Sequence, residues 1–235
     1  TPDSAYTLPL GLLSNKDEFR FDILTVPGKT QQSNSPVVSL AIQTCIDRGD
    51  AIAVVDLNDK GANILTTIGE ASEIDSSYAA AYYPWVQINS PQAGRSIWVP
   101  PSVIIPSVYE YNDNSSAVWF APAGFKRGGI AVIQTERKLS PTDRDLLYSN
   151  KVNPIATFPG QGIVVYGQKT LQQKNSALDR INVRRLLIEL KRTIGQVANT
   201  FVFEQNTTAN QNLFLSKIRP YLDSVQQRGG LFAYK

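Results

Sequence analysis

Histidine and methionine are both missing from this 235-residue chain, and cysteine occurs once, at Cys45. Without histidine there is no Ser-His-Asp or Cys-His nucleophile pair and no imidazole-held metal. The side chain that most often moves protons near neutral pH is gone as well. A single cysteine excludes an internal disulfide and a cysteine-built zinc site. Its neighbours Ile42 and Ile46 place Cys45 on the apolar side of a helix, as a small buried hydrophobe. Charge is sparse, at 18% of residues, and no apolar run approaches the roughly 20 residues of a membrane span. The 42% hydrophobic content suits one large globular domain, or two small ones, with a core that needs no staples. Because the chain opens on Thr1 and closes on Leu231-Phe232-Ala233-Tyr234-Lys235, a strand in mid-course, it is expected to be an internal fragment.

What charge there is concentrates on one helix. Residues 178–192 (LDRINVRRLLIELKR) hold Arg180, Arg184, Arg185, Lys191 and Arg192 against Asp179 and Glu189, and so account for the whole net charge of +3. Between them Val183, Leu187, Leu190, Ile194 and Val197 recur at intervals of four and three, the period of one buried helical stripe. The pattern predicts a helix over about 180–200 with that stripe in the core and a basic face turned outward as a docking surface. Arg185 and Glu189, one turn apart, are expected to pair.

The rest of the chain alternates strand and helix signals. Residues 1–18 read as a linker. Phe19–Val26 reads as a strand ended by Pro27-Gly28, residues 31–36 as a polar loop, and Val37–Arg48 as a helix stopped by Gly49. Ala51–Asp56 is a short continuous apolar run, as in a strand buried on both faces. Together these form a βαβ unit with a parallel strand pair. Residues 64–77 read as a loop with a helical turn. Tyr82–Ile88 reads as an aromatic strand with Pro84 at an edge or bulge. Pro100-Pro101 opens a helix that Pro106 kinks, and Ser140-Pro141-Thr142-Asp143 is a helix start with Ser140 as its cap. Ile155–Phe158 and Ile163–Tyr166 are strands, as is Phe201–Glu204. Residues 210–228 form a last helix, kinked at Pro220 and ended by Gly229-Gly230. The fold class is α/β, mixed α+β: a central mixed sheet flanked by several helices.

Chemistry-bearing motifs are weak. Gly162-x4-Gly167-Gln168-Lys169-Thr170 is one residue out of register for a phosphate-binding loop, and Ile-Val-Val-Tyr between the glycines commits the amides to a sheet. An α/β enzyme or nucleotide-binding domain with a phosphate site near 160–170 is therefore the runner-up. Asp143 suits a helix dipole better than catalysis. Tyr82, Tyr83, Trp85, Trp98 and Trp119 are expected in the core rather than on a base-stacking platform, and a surplus confined to one helix does not predict nucleic acid binding. No catalytic, metal or cofactor residue is assigned, so no cofactor is expected.

Several segments nevertheless carry a resemblance. Tyr82-Tyr83-Pro84-Trp85-Val86, Trp98-Val99-Pro100-Pro101-Ser102, Trp119–Gly128 (WFAPAGFKRG), Asn153-Pro154-Ile155, Val165–Thr170 (VYGQKT) and Asp179–Leu186 (DRINVRRL) resemble, in family order, the C-terminal region of contractile tail sheath proteins of T4-like myophages. The likeness runs from about Phe19 to Lys235. It implies a structural virion protein, not an enzyme, assembled in the host bacterial cytoplasm. Its subunits would stack as hexameric rings around the tail tube and contract to drive the tube through the host envelope. The implied partners are other sheath subunits, the tube protein, and baseplate and tail terminator proteins, with no nucleic acid and no membrane insertion. Residues 19–235 would be the inner, tube-proximal domain, incomplete at its C-terminus, and arms of neighbouring subunits would add strands to its sheet. On this view Arg180, Arg184, Arg185, Lys191 and Arg192 face the tube or a neighbour. Leu231, Phe232, Ala233 and Tyr234 form an edge strand for arm pairing.

Overall fold

The computed structural model describes residues 2–234. A five-stranded sheet lies at the centre in the order β1 (Ile23–Thr30), β2 (Ile52–Asp56), β3 (Ala79–Tyr83), β7 (Asn153–Phe158) and β8 (Gly162–Val165). The first four strands run parallel and β8 returns antiparallel to β7, so the sheet is mixed, as expected. A second, antiparallel ribbon has the order β5 (Arg95–Val99), β4 (Val86–Ser90), β6 (Gln134–Thr135).

The expected βαβ unit is β1, α2 (Gln31–Arg48) and β2. Its helix begins earlier than the sequence suggests, because the Thr30 hydroxyl accepts the Ser33 amide and caps a first turn before a break at Asn34. Gly49 closes it at φ +66, where its N–H reaches the Cys45 carbonyl. β1 does not stop at Pro27-Gly28 but continues past a register shift between Thr25 and Thr30. The supposed linker is packed: α1 (Thr7–Leu12) buries Leu10, and Tyr6 and Leu13 lie against the core.

Alternation along β2 and β3 feeds two cores. Ala53, Val55, Ala79, Ala81 and Tyr83 point to α2, where Val38, Ala41 and Cys45 meet them together with α3 (Ile64–Ser72). Ile52, Val54, Ala80 and Tyr82 point the other way, toward Ile105 and Tyr109 of α4 (Ile105–Ser115) and Ile181 and Ile188 of α7 (Ile181–Asn199). The aromatic run splits at Pro84 rather than bulging: Tyr82 and Tyr83 end the central β3 and the chain then turns into β4. Pro106 stands in the first turn of α4 and kinks nothing. Around the β7–β8 hairpin lie α5 (Gly124–Arg127) and α6 (Pro141–Ser149), the latter opened by a full capping box between Ser140 and Asp143. Residues 201–204 form a turn, not a strand, leading from α7 into α8 (Thr208–Gln227), which runs through Pro220.

Candidate functional site

The basic helix does not present its arginines as the sequence suggests. Arg184 and Arg185 are buried, 8% and 6% exposed, on the sheet-facing side of α7 with Ile181 and Ile188. Arg185 clasps Asp113 of α4 through both terminal nitrogens, at 2.8 and 2.5 Å, and its guanidinium lies 4.6 Å from the Tyr109 ring centre. Behind it the Tyr109 and Tyr82 hydroxyls meet at 2.8 Å, and burial pushes both phenols up, Tyr109 to about 12. Arg184 stacks 4.0 Å over the Tyr78 ring and donates to the Ser77 hydroxyl. The expected Arg185–Glu189 pair is absent, since Asp113 takes the guanidinium; Glu189 instead lies 3.9 Å from Arg192.

The apolar stripe is corrected with them. Leu190 is buried, but Leu187 is 41% exposed, and Val183, Ile194 and Val197 are half-buried. α7 is wedged between two partners: one side meets the sheet, while Leu186 and Leu190 meet Val225 and Tyr221 of α8. A stripe drawn for one partner falls between them.

The three remaining cations are more open. Arg180 pairs with Asp179 at 3.2 Å with its side chain 41% exposed. Arg192 is held by Asp22 and donates to the Asp50 carbonyl at 2.9 Å. Lys191 is exposed and lies against Gly49, where a Cβ would come within 2.6 Å of its Nζ. That places the ammonium at the negative end of the α2 dipole. Lys191 and Arg192 line a cleft of about 710 Å³ with Lys16, Arg20, Asp22 and Asp50.

Leu231, Phe232, Ala233 and Tyr234 are not a strand in this chain. After Gly229 the backbone folds back on α8: Gln226 Nε2 donates to the Phe232 carbonyl at 2.8 Å, and the Tyr234 hydroxyl donates to Asp223. Leu231 packs into the α7–α8 core while Phe232 is 99% exposed. Among the described residues no strand of either sheet pairs with these four. Lys235, the last residue of the expected strand, lies outside the described residues.

The runner-up site fails on geometry. The Val165, Tyr166 and Lys169 amides are spent on the Gly128 and Pro154 carbonyls and on Asn153 Oδ1, at 2.8, 2.8 and 2.6 Å. Those three amides are not free to cradle a phosphate. The acid with the most displaced pKa, Asp56, is 2% exposed and receives both its hydrogen bonds from Ser102, at 3.0 and 2.5 Å. It fastens β2 to the turn after β5 rather than facing a substrate.

A profile described as Phage tail sheath protein central domain matches residues 10–171. The chain belongs to the phage tail sheath family. It is 38% identical over 194 residues to the tail sheath protein of Vibrio phage KVP40 (isolate Vibrio parahaemolyticus/Japan/Matsuzaki/1991), covering 82% of this chain and 27% of that protein. The tail sheath protein of Enterobacteria phage T4 is 33% identical over 75% of this chain and 26% of its own length. The chain thus spans about a quarter of these sheath proteins. Its fold matches the helical sheath of the anti-feeding prophage (AFP) in the contracted state, with a TM-score of 0.77 and 24% identity. That match covers 97% of this chain and 61% of the other.

Within this sheath domain one surface feature escaped the sequence reading. The α7–α8 tip exposes Val202 at 64%, Phe203 at 100%, Leu213 at 49% and Leu215 at 39%. The run Phe201-Val202-Phe203 carried the signal, but its β-propensity read as a buried strand.

Proposed function

We propose that this chain is the tube-proximal part of a contractile tail sheath subunit. Its full-length parent polymerises as stacked hexameric rings around a tail tube and shortens to drive the tube through the host envelope. It works as a lattice element in the virion, assembled in the host bacterial cytoplasm, and not as an enzyme. Its partners are other sheath subunits, the tube protein, the baseplate and the tail terminator. The observation that carries this is the fold likeness to a contracted sheath over 97% of the chain, joined to the family match.

The physical layout supports it. A subunit that must swing as a rigid body needs its helices fixed to its sheet, and the buried Arg185–Asp113 clasp and Arg184–Tyr78 stack supply that fixation. Arg184 and Arg185 then act as internal struts, while Arg180, Lys191 and Arg192 remain for contact with tube or neighbour. Single exposed pairs contribute only about 0–1 kcal/mol each, which suits contacts that are made in bulk and released on contraction. Leu231, Phe232, Ala233 and Tyr234 take up strand pairing when a neighbour's arm supplies the partner backbone.

Negative-stain microscopy of the full-length product tests the assignment, the expected result being long tubes of even diameter. Lys191→Glu with Arg192→Glu should reduce assembly around isolated tubes. A wild-type protein that remains monomeric beside its own tubes sinks the proposal.

A further inference from the structure

Lys151 stands where the backbone asks for glycine. α6 ends in a Schellman turn, with Lys151 N–H on the Tyr148 carbonyl at 3.2 Å and Val152 N–H on the Leu147 carbonyl at 3.0 Å. The left-handed position of that turn is Lys151, at φ +67, the one non-glycine residue with positive φ among the described residues. A side chain there accepts strain. What the strain secures is the position of an amine.

That amine lies against an amide and a carboxylate from a loop 24 residues on. Lys151 Nζ donates to Asn175 Oδ1 at 3.1 Å and lies 3.5 Å from Asp179 Oδ2. The Lys151 and Asp179 side chains are covered, at 8% and 9% exposure, while Asn175 is open to solvent. Arg180 Nε takes the other carboxylate oxygen, Oδ1, at 3.2 Å, which leaves Oδ2 to the ammonium.

The loop carrying Asn175 is braced from within. Gln172 Nε2 donates to the Lys174 carbonyl at 2.6 Å and to Ser176 Oγ at 2.7 Å, and Ser176 Oγ also accepts the Leu178 amide at 3.1 Å. At its base the Thr170 amide and hydroxyl donate to the Asp179 and Leu178 carbonyls, at 3.0 and 2.9 Å. Asn175 and Asp179 therefore reach Lys151 together. Held in this way, an amine, an amide and a carboxylate are the nucleophile, acyl donor and base of an acyl transfer.

We propose that Lys151 and Asn175 join in an intrachain amide bond, with Asp179 as the base. Asp179 Oδ2 takes a proton from the ammonium, and the freed Nζ lone pair attacks Asn175 Cγ. The Nζ–Cγ bond forms and the Cγ–Nδ2 bond breaks. Of the three ammonium protons, one stays on the new amide nitrogen and one passes through Asp179 to Nδ2, which leaves as ammonia. The third ends on that ammonia in water, as ammonium, and Asp179 is ionised again. Nothing is oxidised or reduced. The open side of Asn175 gives ammonia its exit, and its dilution makes the step one-way. The product staples the end of α6 to the loop before α7, whatever the chain assembles into.

Mass spectrometry of the full-length protein, kept for several days near neutral pH, tests the bond. The expected mass is about 17 Da below that of the sequence, the mass of ammonia. Trypsin should then fail to cut after Lys151 and release residues 145–169 branched onto residues 175–180. Lys151→Arg keeps the charge but not the nucleophile, and should restore the full mass. Asp179→Ala leaves both joined residues in place and should slow the loss about a hundredfold; an unchanged rate overturns the role of the base. Asn175 can also shed ammonia by closing a succinimide on the Ser176 amide, so a loss that persists in Lys151→Arg overturns the staple. Wild-type protein of full mass, cut cleanly after Lys151, overturns it too.

Discussion

Arg185 and Asp113, 72 residues apart in sequence, are joined by two hydrogen bonds of 2.8 and 2.5 Å that tie α7 to α4. The guanidinium is 6% exposed and the carboxylate 28%, so removing one partner strands a largely desolvated charge. Asp113→Asn should cost about 3 kcal/mol because it strands the buried Arg185 guanidinium, and the charge stranded by Arg185→Ala should cost less because the Asp113 carboxylate is the more solvated. Urea unfolding of both single mutants and the double mutant checks this. The double mutant should be markedly more stable than the sum of the two losses implies.

Asp56 gives a pH signature of unusual sign. Burial outweighs the two Ser102 hydrogen bonds and raises its pKa from 3.8 to about 6. The folded state therefore binds this proton more tightly than the unfolded state. The ionised carboxylate penalises folding in full above about pH 6, and the penalty fades as pH falls toward 4, a span of roughly 3 kcal/mol. Asp56→Asn keeps both contacts to Ser102 without the charge. It should raise stability at pH 7 and make no difference near pH 4, as read from urea midpoints across that range.

Much of the fold was legible because its signals are local. The Ser140 cap, the Gly49 stop and the apolar run 51–56 each depend on neighbours within a few residues, and each appears where it was read. The misreadings concern partners far along the chain. β3 begins with Ala79-Ala80-Ala81, residues of helical propensity that become a strand because β2 pairs with all three. The arginines of α7 looked solvated because periodicity cannot register Asp113, Tyr109 or Tyr78, the groups that make their burial tolerable.

Two glycines should respond to alanine in opposite ways. At Gly128 a Cβ would meet the Val165 carbonyl at 2.6 Å and the Gly124 nitrogen at 2.8 Å, both backbone atoms that cannot step aside. Gly128→Ala should cost at least about 2 kcal/mol by lifting residues 128–130 off β8. Gly195 lies inside α7 with nothing within 4 Å of a built Cβ. Gly195→Ala should stabilise by about 0.5–1 kcal/mol. Thermal melts of the two variants decide the point.

Cys45 is 0% exposed, and burial pushes its thiol up to about 12. It should therefore stay silent to a thiol reagent at pH 8 in the folded protein and react fully in denaturant. Rapid labelling of native protein would show that the α2 face opens far more readily than its packing allows.

The α7–α8 tip separates folding from assembly. Phe203 is 100% exposed and Val202 64%, so neither contributes measurable burial within the chain, yet aromatic surface left wholly in water is a liability unless something covers it. Phe203→Ser should leave the unfolding midpoint unchanged, within about 0.5 kcal/mol. On the sheath assignment proposed above, the same change in the full-length protein should slow polymerisation or shorten the tubes by removing a contact between subunits. Sedimentation and microscopy of the variant beside wild type measure both arms. Tubes of normal length with the substitution in place would make the tip a free end of the subunit, and would leave the tube and neighbour contacts to Arg180, Lys191 and Arg192.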